Sequence, residues 1–140
     1  MDSESIVYGC IKDAISGPGD VERRQRNRRA MISLPKAEDW PYLSQEMFSL
    51  PRLEISQDHY LTDVIHFGAS YRAIEYEWSE WMKKFEKLLD DMYWVSAIVH
   101  LETELAGTHT FTWECTGNFH VPGSGVENVR CEWTQENSFL

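Results

Sequence analysis

The chain has 140 residues, of which 42% are hydrophobic and 26% are charged, a balance typical of a folded domain. Its 23 Asp and Glu against 13 Lys and Arg give a formal net charge of −10, which disfavours binding to nucleic acid and to anionic membranes. The chain has no apolar run of the roughly 18–20 residues that a membrane span needs, and its N-terminus lacks the features of a secretory signal. We therefore expect a single cytoplasmic domain over residues 1–140.

The first predicted elements are a strand and a helix. The strand runs from Ser5 to Ile11, and after a Gly-Pro-Gly break Asp20 is placed to cap a helix that Pro35 ends. Five arginines lie from Arg23 to Arg29 and point in nearly every direction around this helix. We expect an exposed, Arg-rich arm at an edge of the fold, paired loosely with nearby carboxylates.

The middle of the chain alternates between breaks and extended segments. Trp40 and Pro41 open a short helical turn, and a short edge strand is predicted from Leu50 to Ile55, where proline is tolerated. A longer strand is predicted from Thr62 to Ile74.

The clearest predicted element is a long helix from about Glu75 to Met92. Its apolar residues recur three or four positions apart and form one wide stripe: Trp78, Trp81, Met82, Phe85, Leu88, Leu89 and Met92. This stripe favours packing against a sheet over a cofactor or ligand site.

A hairpin follows, and the alternation of its two arms restricts the register. A two-residue turn would place the apolar residues of the two arms on opposite faces. A three-residue loop, Leu105-Ala106-Gly107, places them on one face and predicts that Leu101 pairs with Phe111 and Val99 with Trp113.

A last strand is predicted from Val126 to Thr134, with Val129, Cys131 and Trp133 facing inward. The fold class is therefore α+β, with an antiparallel or mixed sheet of four to six strands on one long amphipathic helix and a short Arg-rich helix at an edge.

The outer face of the hairpin is predicted to carry His100, Glu102, Glu104 and Glu114 among threonines. Three interpretations are open: a metal or catalytic site, a solvated sheet face, and an acidic surface for a basic partner. A flat strand separates residues i and i+2 by about 6–7 Å, which argues against a metal site. The glutamates face threonines rather than lysines across the strands, which favours recognition over stability alone.

Two further acids and two aromatic residues are candidate contacts. Asp90 and Asp91 fall in the last turn of the long helix, where the helix dipole disfavours negative charge, although a turn-forming role explains them equally well. Trp94 and Trp40 are candidate aromatic anchors for a partner.

The sequence contains no catalytic motif that we can identify. The five histidines lack the spacing of a ligand set, and the three cysteines are expected to be buried free thiols: His59, His66, His100, His109, His120, Cys10, Cys115 and Cys131. We therefore predict no catalytic residue, no metal and no cofactor.

A small acidic α+β domain without a catalytic motif and with six tryptophans resembles the immunity proteins of bacterial polymorphic toxin systems: Trp40, Trp78, Trp81, Trp94, Trp113 and Trp133. The resemblance is one of type and matches no signature motif. It implies a non-enzymatic inhibitor, a monomer or homodimer, that blocks the active site of a cognate toxin through an acidic surface.

Two other functions are compatible with the sequence. One is a small ligand-binding or enzymatic domain with a pocket between the long helix and the sheet, lined by Tyr71, Tyr76 and His66. The other is a structural subunit that hides an aromatic surface in an oligomer.

Overall fold

The computed structural model describes residues 4–14, 20–34, 41, 43–50, 62–104, 106–115, 117–126 and 129–134. Trp40 and all but the first residue of the predicted strand Leu50–Ile55 lie outside these ranges.

The described residues form an α+β fold with one antiparallel sheet. Its strands and helices are β1 (Glu4–Ala14), α1 (Asp20–Ile32), β2 (Thr62–Arg72), α2 (Trp78–Asp90), β3 (Ser96–Thr103), β4 (Gly107–Glu114) and β5 (Val129–Thr134). Short 3-10 turns lie at Gln45–Met47 and Ile74–Glu77. The strand order is β2-β1-β3-β4-β5 and every pairing is antiparallel. The predicted class is confirmed, and the mixed sheet that it allowed is not observed.

The predicted long helix is divided into two parts. Ala73 has a left-handed backbone (φ 54°), a 3-10 turn follows at Ile74–Glu77, and α2 then has 13 residues. The prediction of one continuous helix from Glu75 is therefore wrong, because the chain must first leave β2 through this tight turn. The predicted apolar stripe is confirmed, since Trp81, Phe85, Leu88 and Leu89 are buried.

Packing between α2 and the sheet is aromatic. The Phe85 ring lies 5.3 Å from the Phe67 ring of β2, 5.2 Å from the Trp113 ring of β4 and 5.3 Å from the Trp81 ring. At the flank, the Trp113 Nε1–H donates to Glu86 Oε2 at 2.9 Å. These contacts place α2 over one face of the sheet, which we call the helix side; we call the other face the open side.

The hairpin confirms the predicted parity but not the predicted register. Leu101 pairs with His109 and Val99 with Phe111, a shift of two residues from the predicted pairs. Gly107 has φ 76° and pairs with Thr103, so it closes the hairpin instead of lying within the loop. The Ala106 N–H donates to Thr103 Oγ1 at 2.9 Å, which stabilises this shorter hairpin turn.

The prediction that β5 packs inward is wrong. Val129 is 44% exposed, Trp133 is 55% exposed and Cys131 is also exposed. These residues lie on the helix side, opposite Trp113, His109 and Phe111 in the register. They are exposed because β5 lies at the sheet edge, beyond the cover of α2.

Helix α1 is docked rather than loosely attached, which corrects the prediction of an exposed arm. Arg24 is 3% exposed, Asn27 is 1% exposed and Met31 is fully buried, so one face of the helix packs inward. Asn27 bonds both backbone groups of Tyr93: its Nδ2 donates to the carbonyl oxygen at 2.9 Å, and its Oδ1 accepts from the N–H at 2.7 Å.

An ion pair between α1 and the sheet is shielded from water. The Arg23 guanidinium pairs with the Asp13 carboxylate of β1, and their side chains are 13% and 4% exposed. The guanidinium carbon also lies 4.0 Å from the centre of the Phe119 ring. Arg23, like the buried Arg24, therefore takes part in the fold, which the arrangement of the arginines around the helix did not indicate.

The cysteines are less buried than predicted. Cys10 and Cys115 are half-buried and Cys131 is exposed.

Gly9 in β1 provides a test of the packing. A Cβ at this position would overlap the Ile98 carbonyl oxygen and lie 2.9 Å from the Phe67 ring, whereas a Cβ at Gly68 would meet nothing closer than 3.5 Å. We expect Gly9→Ala to lower the free energy of unfolding by about 1–3 kcal/mol through overpacking. Gly68→Ala, the matched control, should be neutral or raise it by up to about 1 kcal/mol. Urea denaturation measures both, and equal effects of the two variants would contradict this packing.

The shielded ion pair gives a second test. Removing one member of a buried pair leaves the other charge unpaired, so we expect Asp13→Asn to destabilise the protein by about 3 kcal/mol. The exposed pair of Glu80 and Lys83 on α2, 3.3 Å apart, is the control, and Glu80→Gln should change stability by less than about 0.5 kcal/mol. Thermal unfolding compares the two variants, and a small loss in Asp13→Asn would contradict a docked α1.

Candidate functional site

The open side presents exposed apolar residues near the middle of the sheet. Strand β1 alternates, with Val7 and Ile11 buried on the helix side and Ile6 and Tyr8 facing the other way. Ile6 is 38% exposed and Tyr8 is 37% exposed. Together they form an exposed apolar centre on this face, which also carries the half-buried Cys10, Val64 and Ile98.

His100 supports this centre from the neighbouring strand. It pairs with Tyr8 in the register, and the two rings lie 4.9 Å apart. Its Nδ1 lies 2.8 Å from Thr110 Oγ1, a hydrogen bond that fixes the imidazole ring. His100 thus holds Tyr8 in place and presents its own half-buried edge beside it.

Three carboxylates border the apolar centre at the end of the sheet where β1 begins. Glu102 lies opposite Ile6 in the register, and the Glu4 N–H donates to Glu104 Oε1 at 2.9 Å. On the neighbouring strand β2, Arg72 lies opposite Glu4 in the register. This corner has a surplus of negative charge, because it contains three carboxylates and one arginine. We call Ile6, Tyr8, His100 and the three acids the β1–β3 face.

The structure separates Glu114, the third predicted hairpin acid, from Glu102 and Glu104. Glu114 is on the open side but lies at the other end of β4, and its carboxylate forms a 2.7 Å ion pair with Arg130. It lies six positions along β4 from Thr108, the register partner of Glu102, which is a distance of about 20 Å. The surface predicted to contain Glu114 together with Glu102 and Glu104 is therefore not a single cluster.

Asp90 and Asp91 lie at the end of α2, on the helix side, and do not join the hairpin acids. Asp90 Oδ1 accepts from the Gly125 N–H at 2.8 Å, and the Asp90 carbonyl accepts from the Gly123 N–H at 2.8 Å. Because Asp90 anchors the segment between β4 and β5, a structural role accounts for an acid in the last helical turn. Asp91 remains exposed.

Trp94 is not available as an anchor, which corrects that prediction. It is 1% exposed, its Nε1–H donates to the Leu89 carbonyl at 2.8 Å, and its ring stacks on His120 at 4.7 Å. His120 is itself buried and bonded to the carbonyl oxygens of Met92 and Gly125. The second predicted anchor, Trp40, lies outside the described residues.

Ile6 and Tyr8 were not predicted as contact residues, because in the sequence both only indicate a strand. The sequence did contain a signal for them. In a strand whose odd positions include Val7 and Ile11, the even positions must face the other way, and Lys12 marks that side as open.

The alternative pocket predicted between the long helix and the sheet does not form from the predicted residues. Tyr71 is buried and its hydroxyl accepts from the Trp81 Nε1–H at 3.1 Å, Tyr76 is 77% exposed, and His66 is exposed on the open side. Aromatic packing fills the space between α2 and the sheet instead.

Two adjoining grooves lie beside α1. The larger, of about 280 Å³, lies between α1 and α2 and has an apolar floor with charged residues at its rim: Ala30, Ser33, Leu34, Leu43, Lys84, Lys87, Leu88 and Asp91. The smaller, of about 250 Å³, is lined by Arg26, Arg29, Ala30, Ser33 and Asp91. Neither groove coincides with the predicted pocket.

Two further features are absent from the described residues. Within these residues, no three or more His, Cys, Asp or Glu side chains are grouped so that they could hold a metal ion. The helices they form are too short or too polar to cross a membrane.

Comparisons with protein-family models, with curated proteins and with solved structures returned no match.

Tyr71 provides a test of pH dependence. Burial raises the pKa of its hydroxyl above the ordinary value of 10.0, and the hydrogen bond from Trp81 opposes this only in part. The folded state therefore keeps the Tyr71 proton to higher pH than the unfolded chain does. The associated stability is complete below about pH 10 and is lost as pH rises through the raised pKa.

We expect Tyr71→Phe to be less stable than the parent protein by about 1–3 kcal/mol at neutral pH, since the buried Trp81 N–H loses its acceptor. The difference should narrow above about pH 10, because the variant has no such proton to lose. Urea denaturation across pH measures this, with the exposed Tyr76→Phe as control. A difference that stays constant at alkaline pH would show that the Tyr71 pKa is not raised.

Proposed function

We propose that this protein is a non-enzymatic inhibitor that binds a cognate bacterial toxin domain through the β1–β3 face and blocks its active site. The protein acts in the cytoplasm, where it meets the toxin, and it needs no cofactor. The observation that carries this proposal is the combination of an exposed apolar centre with a border of carboxylates on a regular sheet face.

The apolar centre has the properties of a binding anchor. Interface energy is concentrated in a few central residues, often aromatic, that become fully desolvated on binding. Tyr8 is partly exposed while its ring is held against His100, so a partner would bury it at little further cost in side-chain entropy. Ile6 widens this centre along the strand.

The carboxylate border supports a basic partner. Glu4, Glu102 and Glu104 lie at one corner beside the apolar centre, and the whole chain carries a formal charge of −10. Complementary charge speeds association and rejects partners of the same sign. A toxin that acts on an anionic substrate needs Lys or Arg in its active site, and these carboxylates would occupy the place of that anion.

The scaffold supports inhibition rather than catalysis. The hydrogen bonds of His100 and Glu104 are directed at Thr110 and at the β1 backbone, so they hold the face in shape. Strand β1 is paired along both edges, which fixes the β1–β3 face before binding. A preformed surface of this kind loses little entropy on association.

The test uses the toxin domain encoded beside this gene as binding partner. We expect Glu102→Gln with Glu104→Gln to lower the association rate constant about threefold to tenfold at low salt and to flatten its dependence on ionic strength. Tyr8→Ala should act on the dissociation rate instead and weaken affinity by about 30-fold or more. Stopped-flow fluorescence and surface plasmon resonance separate the two rates.

The matched control is Glu77→Gln with Glu80→Gln, which removes two exposed charges next to α2 and leaves the β1–β3 face intact. Its association rate should stay within about twofold of the parent protein. Equal losses in the two double variants would assign the effect to net charge and contradict a docking role for this face. Full affinity in Tyr8→Ala would contradict the proposed anchor, and a chain that does not neutralise the toxin domain on co-expression would overturn the function.

A further inference from the structure

Strand β5 ends the sheet and is paired, within the described residues, with β4 only. The outer edge of a terminal strand presents backbone N–H and C=O groups that can pair with another strand. Proteins usually protect such an edge with proline, lysine, a bulge or inward-pointing charge. The segment Val129–Thr134 contains no proline, lysine or glycine, its two charged residues, Arg130 and Glu132, have opposite signs, and its pairing with β4 is continuous over all six residues.

The helix-side residues of β5 are also exposed to solvent. On the helix side, Val129 and Trp133 are about half exposed, although the Trp113 ring opposite Val129 is fully buried. Cys131 lies between them and is exposed. The apolar row of β4 thus continues onto β5 without the helix that covers it elsewhere, and an exposed apolar edge of this kind is typical of an interface.

The sequence of β5 is complementary to itself. If two copies pair antiparallel about a two-fold axis at Cys131, Arg130 lies opposite Glu132 of the second copy, and Glu132 lies opposite its Arg130. Val129 then lies opposite Trp133 of the second copy, and the two Cys131 residues face each other. Every direct pair within Val129–Trp133 therefore joins opposite charges or apolar groups.

The neighbouring registers lack this complementarity. In a continuous sheet, the helix sides of the two copies must form one face. The two-fold axis must therefore pair one residue with the same residue of the second copy, and it cannot fall between two residues. An axis at Arg130 places the two arginines opposite each other, and an axis at Glu132 does the same with the two glutamates. Only the register centred on Cys131 avoids like charges among these three.

We propose that β5 is a self-association edge that pairs with β5 of a second copy of this chain, antiparallel and centred on Cys131. The product is a two-fold dimer with one continuous sheet, to which each copy contributes its five strands. On the helix side, the two rows of Val129, Cys131 and Trp133 merge into one apolar strip. This inference does not rest on the proposed function, since none of these residues belongs to the β1–β3 face.

The dimer is expected to be weak and dependent on concentration. One strand from each copy gives a small interface, and such interfaces are typical of transient association. The net charge of −10 on each copy adds long-range repulsion, which the two Arg130–Glu132 pairs offset locally. Arg130 also pairs with Glu114 of its own chain, but its side chain is 65% exposed and remains accessible to a second copy.

The test is a charge exchange followed by sedimentation velocity of the full chain under reducing conditions. Arg130→Glu and Glu132→Arg should each shift the protein to monomer, because each places like charges opposite one another across the axis. A one-to-one mixture of the two variants should restore the dimer, since each acidic strand then faces a basic one. The double variant Arg130→Glu/Glu132→Arg should restore it as well. Lys83→Glu and Glu80→Arg, at exposed sites on α2, are the controls and should behave like the parent protein.

The position of Cys131 provides an independent check of the register. A short bis-maleimide should link two copies of the parent chain through Cys131, as peptide mass spectrometry would show, and Cys131→Ser should abolish the link. Linkage through Cys10 or Cys115 instead would overturn the proposed register. A parent chain that stays monomeric at all concentrations would overturn the dimer, as would variants that stay dimeric or fail to recover on mixing.

Discussion

The Phe85 ring contacts Phe67 on β2 and Trp113 on β4, and these contacts hold α2 across the middle of the sheet. The Phe85–Phe67 pair depends on the bare Gly9 backbone of β1, because a side chain there would meet the Phe67 ring and the neighbouring strand. The two helices of the described residues leave two surfaces of the sheet uncovered. One is the open side, where Ile6 and Tyr8 are exposed, and the other is the β5 edge, which α2 does not reach.

Features that depend on local periodicity could be predicted from the sequence. The apolar stripe of α2 and the common face of the two hairpin arms follow from periods of 3.6 and two residues. The register could not be predicted in the same way, because parity allows any even shift. A hydrogen bond between Thr103 and Ala106, together with the left-handed Gly107, selected the observed one.

The contact residues were predicted less accurately than the secondary structure, because exposure depends on packing between distant parts of the chain. Trp94 is covered by His120, which is 26 positions away, and Glu114 is neutralised by Arg130 of a different strand. Similarly, α1 has no clear apolar stripe. It docks through Asn27, which bonds the distant Tyr93, and through Arg23, which pairs with Asp13 of β1. A polar buried face carries no periodic hydrophobic signal, so it could not be recognised.

The two proposed surfaces are compatible, and the twist of the sheet determines how they combine. In the proposed dimer, seven strand spacings separate β1 of one copy from β1 of the other, or about 34 Å. Adjacent strands rotate by about 20°, so the two β1–β3 faces would be turned about 140° from each other. Two toxin domains would then bind on nearly opposite sides without touching, and one domain would be unable to engage both faces. Dimerisation would therefore leave the affinity of each β1–β3 face unchanged, because neither surface supplies residues to the other.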